Sequence, residues 1–561
     1  MKKAIAVVLS LVMCLALITA CNDTTTNTDG NTNSPGSPGT SQSAPPTVVP
    51  TIGNTTESPV PPPVEARFAE HVIISTDNNV ITSIDVMSPA SNVPGSNQVL
   101  TMLHDRLLNY DFSTGGYYLG LAVEWGTSDF QTFTFKLREG VKFHNGEPFT
   151  AADVLFTCEL AKNSPGSMAS SQWGPVESIR AIDPMTVEMV LNAVNVDFPY
   201  NMAMPMAGIV NEKAIAADPE NGSTVGTGAY KYYEFVSGDH VTLERNDDWW
   251  NRVENGGERD IPTKFITIRY IAEIAARAIA IQNGETHLAL GLGAEDMVIF
   301  QSNPGFRIVL QTSADPQGLS FNTAHPPLDD INLRNAIIHG INKEEATIVG
   351  WGDWGIPQPE DEGTTWGLST PFRNTSLPGL PYDPELAKQY LAQSSYNGEV
   401  LEIAAAQSTA ILAAEVIQRN MADIGINISV NATDLPTLNA MYNTWGTTGI
   451  NTSHMILIGW QFSANPVCIR NIFSPLGLNN RSAFNNEEVN EILAQAYVTT
   501  DAAAREAMFH RIQEIAYENR IMTNIMFRIA GQVCAKGVDG MYFPPDTAWS
   551  DFRGIYLDLD A

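Results

Sequence analysis

The sequence predicts an α/β fold, because helical and strand-like patterns interleave along most of its length. Three observations carry that expectation. First, a strand, a tight turn and a capped helix are written within one short run. Phe133, Phe135 and Leu137 alternate with polar residues, Asn145-Gly146 marks a turn, and Thr150 with Asp153 opens a helix. Second, Ile417, Met421 and Ile424 form a helical stripe that stops at Gly425, after which Ile426, Ile428 and Val430 alternate as a strand. Third, about 495 residues follow the N-terminal low-complexity tract, too many for one simple core, so two or more lobes are expected.

Taken in order, residues 1–20 read as a secretion leader. Lys2 and Lys3 are its positive end, and Ala4–Ala20 is an apolar run ending in small residues. The length alone would suit a membrane span. Cys21 stands where the apolar run stops, and Leu17-Ile18-Thr19-Ala20-Cys21 looks like a lipobox, so acylation of Cys21 is expected. Two acyl chains would anchor the protein stably, one only marginally. Residues 21–66 follow as a tether of Thr, Asn, Ser, Pro and Gly that cannot form a core. Its root-mean-square reach is roughly 35–40 Å. The expected location is the outer face of a bacterial cytoplasmic membrane, in a Gram-positive style.

Without Lys2 and Lys3 the chain keeps 29 basic against 62 acidic residues, a net charge of −33. That balance argues against nucleic acid and anionic lipid as partners. Cys14 leaves with the leader, and Cys158, Cys468 and Cys534 remain without CxxC spacing; at least one of these three is unpaired within the chain.

Val72-Ile73-Ile74 begins the first strand, and Leu100–Leu108 is apolar at helical spacing. Val141 and Phe143 continue the alternation of the 133–137 strand; Val154, Leu155, Cys158 and Ala161 share a helix face beyond Thr150. Gly226-Thr227-Gly228 lacks the third glycine of a dinucleotide loop and precedes strand-like sequence. Ala275–Asn283 reads as a helix stopped by Gly284, and Leu333, Ile337, Gly340 and Ile341 share a second helical face. Asp383-Pro384 is an N-cap with proline at the first helical position. Met508, Ile512 and Ile515 mark the last long helix.

Several of these segments resemble the family 5 extracytoplasmic solute-binding proteins, the dipeptide, oligopeptide and nickel receptors of ABC importers. The matching runs appear in family order. They are Leu137–Thr157, Gly226–Tyr230 with Asn246–Trp250, Ala276–Glu285, Ser320–Thr323, Leu333–Ile337 with Gly340–Lys343, Trp366-Gly367 and Gly459-Trp460. The resemblance implies a two-lobed periplasmic-binding-protein-like fold (type II, cluster C) with an extra subdomain in the first lobe. Lobe I would comprise 67–96, 226–315 and 531–561, the extra subdomain 97–225, and lobe II 316–530. Crossovers would fall near 313–319 and 527–532. It further implies a monomer without cofactor or metal that delivers a small solute to a membrane permease.

No GxSxG, HExxH or P-loop is present, and the nine histidines are scattered singly. Of these, His454 alone is near an expected pocket wall. The resemblance places the cleft at Trp460, Gln461, Phe462, Ser463 and Asn465. Peptide-binding members carry an Asp shortly after this Trp, to pair with the peptide ammonium; here Ser463 or a neighbour takes its place. Arg470 is a candidate bidentate partner for a carboxylate. Trp351, Trp354 and Trp366 are candidate aromatic platforms, and Asn322 a weaker polar contact. An oligopeptide is the expected solute; an oligosaccharide, an opine-like compound or a nickel chelate are alternatives. A secreted hydrolase, or a surface lipoprotein acting in adhesion or peptide sensing, are readings of another class.

Overall fold

The computed structural model describes residues 67–76, 81–91, 93–112, 115–368, 370–443, 453–460, 467–475, 477, 479–544 and 550–561. The leader, Cys21 and the tether lie outside the described residues.

Eleven strands form one mixed sheet. In chain order they are β1 (His71–Thr76), β2 (Tyr230–Val236), β3 (His240–Arg245), β4 (Phe265–Tyr270), β5 (Leu288–Ala289), β6 (Phe306–Phe321), β7 (Gly355–Pro357), β8 (Leu401–Ala405), β9 (Ile428–Ala432), β10 (Met455–Gly459) and β11 (Met522–Ala535). The spatial order is β9-β8-β10-β6-β11-β5-β1-β4-β3-β2, with β7 also on β11. β1 runs parallel to β4 and β5, and β8 runs parallel to β9 and β10. Two halves, each with three parallel strands and the first extended by the antiparallel β3 and β2, are therefore joined by the long antiparallel pair β6 and β11.

The helices used below are α1 (Pro94–Leu103), α2 (Ala151–Lys162), α3 (Ile274–Gln282), α4 (Ile331–Gly340), α5 (Lys343–Trp351), α6 (Pro384–Ala392), α7 (Ser408–Ile424), α8 (Val467–Phe473), α9 (Glu487–Ala496) and α10 (Ala502–Glu518). α2 starts as its sequence requires: the Asp153 carboxylate accepts from the Thr150 N–H at 2.9 Å. α6 starts on Asp383, whose carboxylate accepts from the Leu386 N–H at 2.9 Å. α7 ends at Gly425 with φ +95°, a backbone that side chains with a Cβ resist. The strand β9 that follows closes the helix-glycine-strand unit on β8.

Each half has its own core. Val72, Ile74, Ile266 and Ile268 centre one around β1 and β4. Leu319, Ile337, Ile403, Ile417 and Met421 centre another around β6, α4, β8 and α7. A separate four-stranded antiparallel sheet (122–127, 132–137, 186–191, 176–183) buries Phe133, Phe135, Val187 and Met189 against α2 and Trp173.

Two local expectations are corrected. Helix α1 ends at Leu103, and Leu108 begins a short strand, Leu108–Tyr110, paired with Tyr117–Leu119. The apolar spacing over 100–108 thus spans a helix end and a buried strand start, which periodicity alone does not separate. Val141 and Phe143 are buried, but only Lys142 between them makes a bridge, to Pro148; the 132–137 strand ends at Leu137.

Candidate functional site

The candidate site lies where β6 and β11 carry the chain between the two halves. Their pairing runs from Phe306↔Ala535 to Ser320↔Met522 and is irregular at Thr312/Pro316 and Gln317/Gly318. β10 pairs with the far end of β6, from Gln317↔Gly459 to Phe321↔Met455. Trp460 follows at once, and its N–H donates to the Pro316 carbonyl at 3.1 Å. The indole lies against the crossover backbone: a Cβ on Gly318 would stand 2.5 Å from its Cζ3. Glycine at 318 is thus the condition for the ring to sit there.

Trp460 is only 1% exposed and packs with Trp366, Ile469, Phe473 and Met522. The Arg481 guanidinium lies 5.8 Å from the ring centroid and also donates to the Gly459 carbonyl. The indole N–H has no acceptor among the described residues. Gln461, Phe462, Ser463 and Asn465 lie outside the described residues, as does the side chain of Cys468.

The other candidates are not gathered in one place. Arg470 is exposed on α8, with its guanidinium 5.9 Å from the Tyr497 ring centroid. Trp366 is fully buried beside Phe509, ring centroids 6.1 Å apart. Trp351 belongs to the core around α4 and α7, and Trp354 packs on Ala278, Met297 and Val533. Asn322 is buried and structural: its Nδ2 donates to the Ser453 carbonyl at 3.0 Å, and its N–H to the His454 carbonyl at 2.9 Å. His454 Nδ1 accepts from the Glu402 N–H at 3.3 Å, and burial lowers its pKa. Among the described residues no group of three or more His, Cys, Asp or Glu is placed to hold a metal. Cys158 and Cys534 are buried free thiols, and burial pushes them up to about 11 and about 12.

A family model described as bacterial extracellular solute-binding proteins, family 5 middle, matches residues 116–467. The chain belongs to that family. The glutathione-binding protein GsiB of Pectobacterium atrosepticum is 25% identical to it over 439 residues, 76% of this chain and 82% of the relative. A crystal structure of a putative peptide binding protein, AppA from Clostridium difficile, matches with TM-score 0.73 at 20% identity, covering 87% of this chain and 100% of the other. DppA from Helicobacter pylori, solved in complex with the peptide STSA, matches with TM-score 0.68 at 22% identity, covering 88% and 99%. The fold is thus that of the two-lobed binding proteins. No helix among the described residues is long and apolar enough to cross a membrane.

In this solute-binding protein a further polar cluster has no counterpart among the sequence expectations. Asp105, between α1 and the Leu108–Tyr110 strand, accepts from the indole N–H of Trp249 at 3.0 Å and of Trp250 at 2.7 Å. Arg138 stacks 4.1 Å from the Trp250 ring centroid. Nearby, Asp551 binds both Arg553 and Arg259 at 2.7 and 2.8 Å. Burial would raise the Asp551 pKa, but the two guanidinium groups hold it well below the usual carboxylate range. The visible signal was Trp249-Trp250 beside Asn246; its partner lies 144 residues earlier. The cluster ties the extra sheet to the first half.

Proposed function

We propose that this chain is the lipid-anchored receptor of an ABC importer, that it captures an oligopeptide between two hinged lobes, and that it presents the closed form to a membrane permease. The single observation that carries the reading is the β6–β11 pair. A family 5 solute-binding protein whose chain crosses between its halves on two long paired strands, irregular at Thr312/Pro316, has the compliance that hinge closure needs. Lobe I takes 67–96, 226–315 and 531–561 with the extra subdomain 97–225, and lobe II takes 316–530. Cys21 is the acylation site and 21–66 the tether. The peptide reading draws on relatives named for glutathione and for peptides. With no Asp in 461–466, a peptide ammonium would be met by hydroxyl, amide and carbonyl groups of that segment.

The test is native mass spectrometry of the purified protein for a co-purifying solute, followed by thermal shifts with di- to pentapeptides, oligosaccharides and nickel chelates. A solute at a hundred times its dissociation constant adds about 2.7 kcal/mol of stability. A shift with peptides supports the reading; shifts with sugars or chelates and none with peptides would end it.

A further inference from the structure

The crossover strands are not the only link between the two lobes. Helix α10 belongs to the core that contains Trp366, Trp460, Phe509 and Ile512. Asp197 begins the short helix Phe198–Asn201, whose Phe198 and Tyr200 belong to the core of the four-stranded sheet. Across a sequence separation of 308 residues, Arg505 Nη2 donates to Asp197 Oδ2. Beside that ion pair, the Val196 N–H donates to the Tyr497 carbonyl at 3.2 Å. The Asp197 and Arg505 side chains are only 7% and 14% exposed. Arg505 is also aimed from its own side: its Nε donates to the Ala496 carbonyl at 2.9 Å, and its guanidinium lies 5.5 Å from the Phe509 ring centroid. The Asp197 carboxylate makes no cap for its own helix, so its role in the fold is the contact with Arg505.

We propose that Asp197 and Arg505 form a clasp that holds the two lobes closed, so that protein contacts as well as the solute set the free energy of capture. The proposal rests on the reading that solute is held between the lobes. A desolvated ion pair nearly balances attraction against lost hydration, and that balance suits a contact made and broken in each cycle. When the lobes part, both charges regain water, so breaking the pair opens the protein rather than unfolding it. The irregular pairing of β6 and β11 at Thr312/Pro316 and Gln317/Gly318 gives the chain a place to bend. Apparent affinity scales with the closed fraction, so loss of the clasp weakens every solute alike.

The test uses the whole mature chain as wild type, Asp197→Asn, Arg505→Gln, Arg505→Lys and the exchanged pair Asp197→Arg with Arg505→Asp. Small-angle scattering without added solute reads lobe opening. Titration with trialanine and glutathione reads affinity. Asp197→Asn and Arg505→Gln should enlarge the radius of gyration and weaken binding roughly tenfold, with faster dissociation. Arg505→Lys, or the exchanged pair, should restore part of both. Identical scattering across the series would overturn the clasp, as would a lowered melting temperature with shape and affinity unchanged. If neither probe binds any variant, the peptide reading fails while scattering still decides the clasp.

Discussion

Lowering the pH should destabilise this protein through two histidines that the fold holds neutral. His104 is fully buried at the end of α1; its Nδ1–H donates to the Ile209 carbonyl at 3.2 Å, and its Nε2 has no hydrogen-bond partner among the described residues. His144 accepts the Gly226 N–H on Nδ1 at 3.2 Å and donates from Nε2 to the Gly228 carbonyl at 3.1 Å. A second proton on His144 would set two N–H groups face to face, and one on His104 would bury a cation whose Nε2–H has no acceptor among the described residues. Burial accordingly lowers His104 to about 4 and His144 to about 3. The unfolded chain has the ordinary value near 6.5. A histidine depressed in the folded state contributes its full stability above the unfolded value and loses it as pH falls toward the folded value. Between about pH 7 and about pH 5, His104 therefore removes about 2 kcal/mol. His144 is half-buried and removes about 1–2 kcal/mol. Urea unfolding at both pH values measures the difference. In His144→Gln, whose amide can keep both hydrogen bonds, the loss on acidification should shrink by about 1–2 kcal/mol; in His104→Asn it should shrink by about 2 kcal/mol. Other titrating groups cancel in that comparison. Equal pH dependence in wild type and both variants would refute the reasoning.

Three further outcomes follow from packing. Gly318→Val should cost at least about 3 kcal/mol in urea unfolding, because its Cβ would meet Trp460 Cζ3 and the Thr523 carbonyl at 2.5 Å. Trp460→Ala should cost about 3–5 kcal/mol in the same assay and weaken the strongest solute; unchanged affinity would place the pocket elsewhere. Arg553→Met should cost about 2–4 kcal/mol, since it strips Asp551, 12% exposed, of one of its two cations.

What was legible in the sequence is what local chemistry decides. Thr150 with Asp153, Asp383-Pro384 and Gly425 mark element ends because caps and stops act over three or four residues. The helix-glycine-strand unit and the run into α2 are correct for the same reason. Long-range pairing was not legible: nothing near Leu108 announces that it will pair with Leu119. Nor does Asp105 announce two indole partners, or Asp197 an arginine 308 residues away. A charged residue reads as surface in sequence, and only the tertiary fold turns it into a buried partner.

The same reasoning separates scaffold from specificity. Trp351, Trp354, Trp366 and Trp460 are all buried in cores, so their indoles serve packing and the crossover before they serve any solute. Less buried rings stand elsewhere. Phe112 and Tyr117 are half-buried and edge onto Tyr110, which in turn edges onto Tyr200 of the helix that Asp197 begins. Tyr117 feels the charges of both Asp197 and Arg505, and its pKa is raised by burial and then by Asp197. Rings beside the Asp197–Arg505 pair would change surroundings if the proposed clasp opened, as would Trp354, which packs on Ala278, Met297 and Val533; rings enclosed within one core would not. Discrimination among solutes requires a difference between the two states. Under the proposed closure, a ring such as Tyr117, beside Asp197 and Arg505, would feel that difference, whereas Trp366, enclosed within one core, would not.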